Sequence, residues 1–339
     1  MEVGVSVAGL APPVARRIKK ARRKWGAGDI KRHLAYMLML LPGISFLLVF
    51  SYLPLPGILL AFKNYKLAKP PRDFWLTNNY LYSLFYKSPW AGLKNFEFIF
   101  SSAEFPIFMR NTLCYNLLFM VVGLFFAITI AIGINELRQR LAAKFYHTVL
   151  FMPYFLSWII VTYLLYAFIS STGIINNFLV SVGQNKIDLY AKVNAWPFIF
   201  VIAQIWRYAG NGSIIYLATI TGFSQELYEA AAIDGAGKWK QFKFITFPQL
   251  VPTIVLLQIL AIGRILNGDF DMFYALPNGS GMLRNAYLVI DVYVYNTLRN
   301  ATNMSLPAAA AFFQSVVGFF LVLITNGIVR KVQPDMAMF

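Results

Sequence analysis

Residues 228 to 252 read "YEAAAIDGAGKWKQFKFITFPQLVP", a short run of small and charged residues set between two long apolar stretches. It holds Glu229, Asp234, Lys238, Lys240 and Lys243, with Ala230, Ala231 and Ala232 in a row and two glycines, Gly235 and Gly237. From Ser224 onward, Gln225 to Ile233 is compatible with a helix. Glu226 and Glu229 fall toward its N-terminal half, where the helix dipole favours negative charge. The alanines carry so little bulk that another protein surface can approach the backbone. Gly235 and Gly237 then permit a turn that side chains would oppose. Beyond it, Trp239, Phe242 and Ile245 recur every three residues, with Lys238, Lys240 and Lys243 between them. That is the pattern of a helix lying along a membrane surface, ended by Pro248 and Pro252 before the next span begins. Periodicity alone leaves two readings open: a two-helix knob displayed to a partner, or an amphipathic loop that touches only lipid.

The rest of the chain has the composition of a membrane protein. Of 339 residues, 58% are hydrophobic and 13% charged, and the mean hydropathy is +0.59; a soluble domain carries about one quarter charged residues. The 31 phenylalanines suit lipid-facing packing. A span needs about 20 mainly apolar residues to cross roughly 30 Å of hydrocarbon. Six segments qualify: 34–62 (broken by Pro42, Pro54 and Pro56), 112–134, 148–169, 196–221, 251–274 and 307–329. The expected fold is therefore all-α, with six transmembrane helices in a domain over 34–339, a basic tail over 1–33, and the opening stretch in a loop over 223–250 between spans four and five.

Charge sets the orientation. Nine of the 30 Lys and Arg precede His33: Arg16, Arg17, Lys19, Lys20, Arg22, Arg23, Lys24, Lys31 and Arg32. This block reads as a cytoplasmic flank held by anionic lipid, not as a nucleic-acid site, despite the net charge of +16. The link "NELRQRLAAKFYH" after span two, with Arg330 and Lys331 after span six, joins it on the inside. Lys63, Lys66, Lys69, Arg72, Lys87 and Lys94 in the first outer loop blunt the asymmetry, yet both termini in the cytoplasm is the better fit. A cleavable signal peptide fits poorly, because the run from Leu34 is too long and lacks a small-residue cleavage site.

The opening stretch resembles the EAA loop of the permease subunits of ATP-binding-cassette importers. That motif has Glu-Ala-Ala, then Gly, Ile and Pro at fixed spacing, here Glu229, Ala230, Ala231, Gly235, Ile245 and Pro248; Phe247 replaces the usual Leu before the proline. The extension "AAIDGA" is similar to the sugar-type members. "SPWAGLKNFEFIF", "IWRYAGNGSIIYLATI" and "LVIDVYVYNTL" likewise resemble permeases for oligosaccharides and polysaccharides, so the likeness runs from about Leu34 onward. It implies the type I importer permease fold in a bacterial cytoplasmic (inner) membrane. Glu229, Ala230, Ala231, Ala232, Asp234 and Gly235 would be the contacts that couple to an ATPase. The partners implied are a second homologous permease, two ATPase subunits and an extracytoplasmic solute-binding protein, with a carbohydrate as substrate. ATP and Mg would sit on the ATPase subunits, and this chain would hold no cofactor of its own.

The absences agree with a transport subunit. "GAGKWK" at 235–240 lacks the G-x-x-x-x-G-K-[ST] spacing and has Trp239 at the Ser/Thr place, so ATP belongs elsewhere. His33 and His147, the two histidines, belong to no Cys/His cluster, and the single Cys114 forms no disulfide within the chain. Asp269 and Asp271 in "NGDFDMFY" read as a solvated hinge at the outer end of span five; an aspartyl dyad needs carboxylates on facing elements. A polytopic enzyme acting on lipid-linked sugars would need such a dyad or a metal cluster. A channel has no use for a docking helix.

Charges at membrane depth cost about 2.5–3.5 kcal/mol each on insertion scales, so they usually face a cavity or a partner. Arg207 in span four is followed by Gly210, Asn211 and Gly212, and Arg264 in span five by Asn267 and Gly268. Broken helices at midplane are where transporters place sites. Trp206, Arg207, Tyr208, Asn211, Tyr216, Arg264 and Asn267 are thus candidates for lining the sugar path, and two arginines would suit a uronate polymer. The alternative is that the arginines pair with acidic groups or carbonyls of the sister permease.

Overall fold

The computed structural model describes residues 27–65, 88–137, 139–301 and 304–338. Most of the basic tail, and Lys66, Lys69, Arg72 and Lys87 of the first long loop, lie outside them. The chain divides into two compact units, 1–56 and 57–339. In the first, α1 (Ala27–Leu47) runs on through Pro42 and continues as a π turn, Leu48–Tyr52.

The second unit holds α2 (Lys94–Phe100), α3 (Phe105–Asn135), α4 (Arg140–Phe151), α5 (Trp158–Ile169), α6 (Ile174–Ser181), α7 (Trp196–Thr221), α8 (Gln225–Ile233), α9 (Lys238–Gln241), α10 (Phe247–Ile262), α11 (Phe270–Ala275), α12 (Arg284–Tyr287), α13 (Ile290–Ala301) and α14 (Ser305–Val332). Among the described residues the one pairing of extended backbone is an isolated bridge between Lys63 and Trp90. Five helical runs are long and apolar enough to cross a membrane: His33–Phe62, Phe105–Asn135, Trp158–Ser181, Lys238–Ile262 and Ser305–Val332. The remaining expected span, α7, is a 26-residue helix whose Gln204, Arg207 and Asn211 dilute its hydropathy.

Two expected spans are cut differently. Over 148–169 the helix breaks: α4 ends at Phe151, a 3₁₀ turn covers Met152–Phe155, and α5 restarts at Trp158. Pro153 has no N–H to continue α4, and the Ser157 hydroxyl caps α5 by accepting from the Ile160 N–H at 3.4 Å. Over 251–274 the helix starts earlier and stops sooner. Lys238 to Ile262 is one continuous run, not a surface helix ended by proline, because the π turn Phe242–Thr246 precedes Pro248. There the Phe247 N–H reaches back to the Phe242 carbonyl, so the wider ring delivers the chain to a residue without an N–H. After Ile262 the chain is non-helical to Asp269.

α3 and α7 form the most extensive helix pairing. Buried positions on α3 (Phe108, Asn111, Thr112 and Tyr115, then Ala127, Ala131 and Ile134) repeat with helical period along one face. Ala127 and Ala131, in its C-terminal half, are small, which lets helices approach closely without a water-driven force. The larger core gathers at the loop-rich end, around Phe108, Trp158, Trp196, Phe200, Phe273 and Val289. A smaller cluster of Ala127, Ala131, Tyr216, Ile220 and Leu250 lies toward the end with the short links. Polar ties fix the loop-rich end to α3: the Asn111 amide donates to the Asn285 and Leu288 carbonyls at 2.9 and 3.0 Å, and the Tyr115 hydroxyl to the Ala286 carbonyl at 2.8 Å.

The glycines after Arg207 do not loosen α7, which is unbroken from Trp196 to Thr221. Gly210 instead marks a close approach, since a Cβ there would overlap the Leu150 carbonyl. Gly210→Val is therefore expected to cost roughly 1–3 kcal/mol or more by overpacking. A lowered thermal midpoint of the detergent-purified protein, read by a thiol- or fluorescence-based melt, checks this.

Candidate functional site

The stretch that carries the motif is held at its ends and open along its length. Ser224 sits at the N-cap of α8 in extended conformation, without a side-chain cap bond. α8 has no buried residue: Glu229, Ala230, Ala232, Asp234 and Gly235 are exposed and Ala231 half-buried. At its C-terminus Gly235 adopts φ +76°. The Gly235 N–H donates to the Ala232 carbonyl at 3.0 Å and the Ala236 N–H to the Ala231 carbonyl at 2.8 Å. These paired bonds are a Schellman cap, which needs a left-handed residue at this position and explains the glycine. The Gln241 amide donates to the Ala236 carbonyl at 3.1 Å, the Tyr228 and Thr246 hydroxyls meet at 3.0 Å, and Lys238 pairs with Glu136 at 2.7 Å. That ion pair is largely exposed and so contributes about 0–1 kcal/mol. Ile233, 87% exposed, projects beside the alanines. The helix can thus seat in an external groove at a fixed angle. Sequence reasoning passed over Ile233 and the Glu136–Lys238 tie; the isoleucine inside "AAIDGA" was the available signal.

Deeper in the bundle, α3, α7, α10 and the non-helical segment after it line an open-sided cavity of about 510 Å³. Tyr208, Tyr216, Arg264 and Asn267 line it, as do Gln204 and Gln258, which the sequence reading did not single out. The Gln204 side-chain oxygen is buried with no hydrogen-bond partner. Trp206, Arg207 and Asn211 are not in the lining.

Arg207 finds its partners inside its own chain. Its Nε donates to the Leu156 carbonyl at 3.0 Å, at the α4–α5 break, and its Nη1 to the Tyr208 hydroxyl at 2.9 Å. The guanidinium lies 4.5 Å from the Trp158 ring centre, a cation–π distance. Asp269 is not a solvated hinge. Its carboxylate accepts from the Trp158 indole N–H at 2.9 Å, the Tyr208 hydroxyl at 3.2 Å and the Met272 N–H at 3.2 Å, the last capping α11. Asp271 is exposed.

A second carboxylate pins the same segment. Asp291 accepts from the Gly268 N–H at 2.6 Å and the Gln314 amide at 3.4 Å, while Gln314 also donates to the Leu266 carbonyl at 2.8 Å. Burial pushes the Asp291 carboxyl above the usual carboxylate range, against the pull of the Gly268 and Gln314 donors. The Asn116 amide holds the Ile265 and Asn267 carbonyls at 2.9 and 3.2 Å. The chain after α10 is thus unwound yet fully tied. Among the described residues no group of three or more His, Cys, Asp or Glu gathers as a metal site.

Comparison with known proteins converges on one family. The model of the binding-protein-dependent transport system inner membrane component matches residues 120–338. LplB of Bacillus subtilis (strain 168) is 33% identical over 307 residues, 90% of this chain and 92% of its own. The polygalacturonan/rhamnogalacturonan transport system permease protein YteP of the same organism is 34% identical over 314 residues, 92% and 93% of the two chains. A chain in the crystal structure of a bacterial alginate ABC transporter, in complex with an alginate pentasaccharide-bound periplasmic protein, superposes with a TM-score of 0.74 at 31% identity. That match covers 90% of this chain and 97% of the other.

Proposed function

This chain belongs to the binding-protein-dependent transport system inner membrane components, as a carbohydrate-importer permease and not an enzyme, and from that premise we propose that it moves an acidic oligosaccharide or polysaccharide inward. Transport proceeds by alternating access, driven by ATP hydrolysis on separate subunits. The carrying observation is α8, an exposed alanine-faced helix with a glycine-set exit angle between two long helices.

Glu229, Ala230, Ala231, Ala232, Asp234 and Gly235 are the docking face for the ATPase. Closure of the nucleotide-bound ATPase pair pushes on this face and tilts α7 and α10, the helices on either side of it. Nucleotide drives the change only through its different affinity for the two states. Each of the two ATPase subunits binds its own ATP and Mg, and a second homologous permease completes the pathway. Five qualifying helical runs plus the 26-residue α7 support a six-span count. The basic tail and the Arg330–Lys331 end of α14 support cytoplasmic termini. The loop-rich end then faces outward and receives the sugar from the solute-binding protein.

The cavity lined by Gln204, Tyr208, Tyr216, Gln258, Arg264 and Asn267 is the sugar path, its amides and rings suited to hydroxyls and pyranose faces. Acidic cargo is supported by the relatives named for polygalacturonan and alginate and by Arg264 in the lining. In proteoliposomes holding the assembled transporter and its binding protein, ATPase stimulation by an oligouronate is expected to exceed that by a neutral oligosaccharide of equal length. Arg264→Gln should erase the difference while assembly persists. Equal stimulation in the wild type would remove the acidic reading; loss of assembly in the variant would place Arg264 at the permease–permease contact.

A further inference from the structure

A second cavity, of about 700 Å³, opens at the loop-rich end and shares no lining residue with the mid-bundle one. Trp158 and Tyr163 of α5, Asp271 and Tyr274 of α11, and Asn296 and Arg299 of α13 stand in its wall. Between the two cavities lies one hydrogen-bonded layer. Asp269, in the lining of the inner cavity, accepts at 2.9 Å from Trp158, in the wall of the outer one, and at 3.2 Å from Tyr208. Arg207 stacks on Trp158 and donates to Tyr208, so the layer is braced from a third side.

We infer that the outer cavity is a subsite for one pyranose residue of the saccharide, occupied before the sugar passes the Trp158–Asp269–Tyr208 layer. The inference rests on the carbohydrate-importer reading and adds to it a station that precedes the inner cavity. Its volume lies within the roughly 300–1,000 Å³ of small-molecule sites. Tyr163 is 70% exposed, leaving an aromatic face free to stack on the apolar face of a sugar ring; Tyr274, 40% exposed, is fixed in the wall by stacking on Phe270 at 5.2 Å and by an edge-on contact with Tyr295 at 5.0 Å. Asp271, Asn296 and Arg299 supply planar acceptors and donors in pairs, the chemistry that reads neighbouring hydroxyls. Arg284, also in the wall, is already taken by Glu104, with contacts of 2.6 to 2.9 Å. Among the described residues Arg299 makes no ion pair, so its guanidinium is the one left for a ligand.

The test places a reporter thiol in the wall. In a Cys114→Ser background, Ile159→Cys, a wall residue 63% exposed, is labelled with a membrane-impermeant maleimide in the assembled transporter without binding protein. Trigalacturonate and maltotriose are the probes. One of them is expected to slow labelling about tenfold when present at about ten times its Kd. Adding Tyr274→Ala or Arg299→Gln should abolish the protection, while labelling of Ser181→Cys, on α6, stays unaffected by sugar. If the transporter takes up either saccharide and neither protects Ile159→Cys, the subsite is overturned and the importer reading stands. If protection survives both Tyr274→Ala and Arg299→Gln, the assignment is overturned too. Protection without uptake of any saccharide would leave a sugar-binding cavity but overturn its assignment as a station on the import path.

Discussion

Gly235→Asp and Glu229→Lys are each expected to abolish co-purification of the ATPase and saccharide-stimulated ATP hydrolysis, while the permease still accumulates in the membrane. The reason at Gly235 is backbone geometry. Its φ of +76° has open space around it, so the penalty comes from the left-handed conformation and not from a clash. A side chain there costs roughly 1–2 kcal/mol, which shifts the equilibrium ratio about 5- to 30-fold against the docking-competent turn. The new carboxylate then faces a groove shaped for small residues. Glu229→Lys reverses an exposed charge on the same helix. Gly183 provides the control: it has the same φ of +76° and the same open surroundings, but in the loop after α6. Gly183→Asp carries equal backbone strain and should leave the ATPase bound. Equal losses in Gly183→Asp and Gly235→Asp would mean that general destabilisation, not docking, is being read.

The second large effect is expected at Asp269. Asp269→Ala strands the Trp158 indole, the Tyr208 hydroxyl and the Met272 N–H, donors that meet one carboxylate. A stranded donor costs about 1–3 kcal/mol where it is fully buried and less where, as at Tyr208, it borders a cavity, so the variant should melt below the wild type. Asp269→Asn keeps an acceptor oxygen and should fall between. Since this layer separates the two cavities, Asp269→Asn is also expected to raise ATP hydrolysis in the absence of binding protein. A thermal midpoint for Asp269→Ala equal to the wild type would refute the structural weight given to this carboxylate.

Much of the architecture could be read from the residues because the relevant signals are local. Long apolar runs fix helices in lipid, and spacing from Glu229 to Pro248 fixes the exposed helix and its turn. What escaped the sequence depends on partners distant along the chain. Nothing near Asp269 announces that Trp158 and Tyr208, more than 100 and 60 residues away respectively, will surround it. Arg207 looked like a path residue because its hydropathy penalty is visible, whereas the Leu156 carbonyl that satisfies it is exposed only once Pro153 has broken α4. The glycine after Arg207 carried the same ambiguity: flexibility and close packing leave one signature in sequence, and α7 resolves it as packing. Conversely, Asn267 and Gly268 did mark a true interruption, because polar and small residues there coincide with the tertiary ties from Asn116 and Asp291.

The most direct measurement is a cross-link from the face of α8. With Cys114 changed to Ser and Ala232 to Cys, a maleimide–benzophenone photo-crosslinker attached to the new thiol should capture the ATPase subunit on irradiation in inside-out vesicles, with a yield that changes between nucleotide-free and ATP-bound states. Labelling of that thiol by an impermeant maleimide from the extracytoplasmic side, or no ATPase cross-link in an assembled and active transporter, would contradict the account.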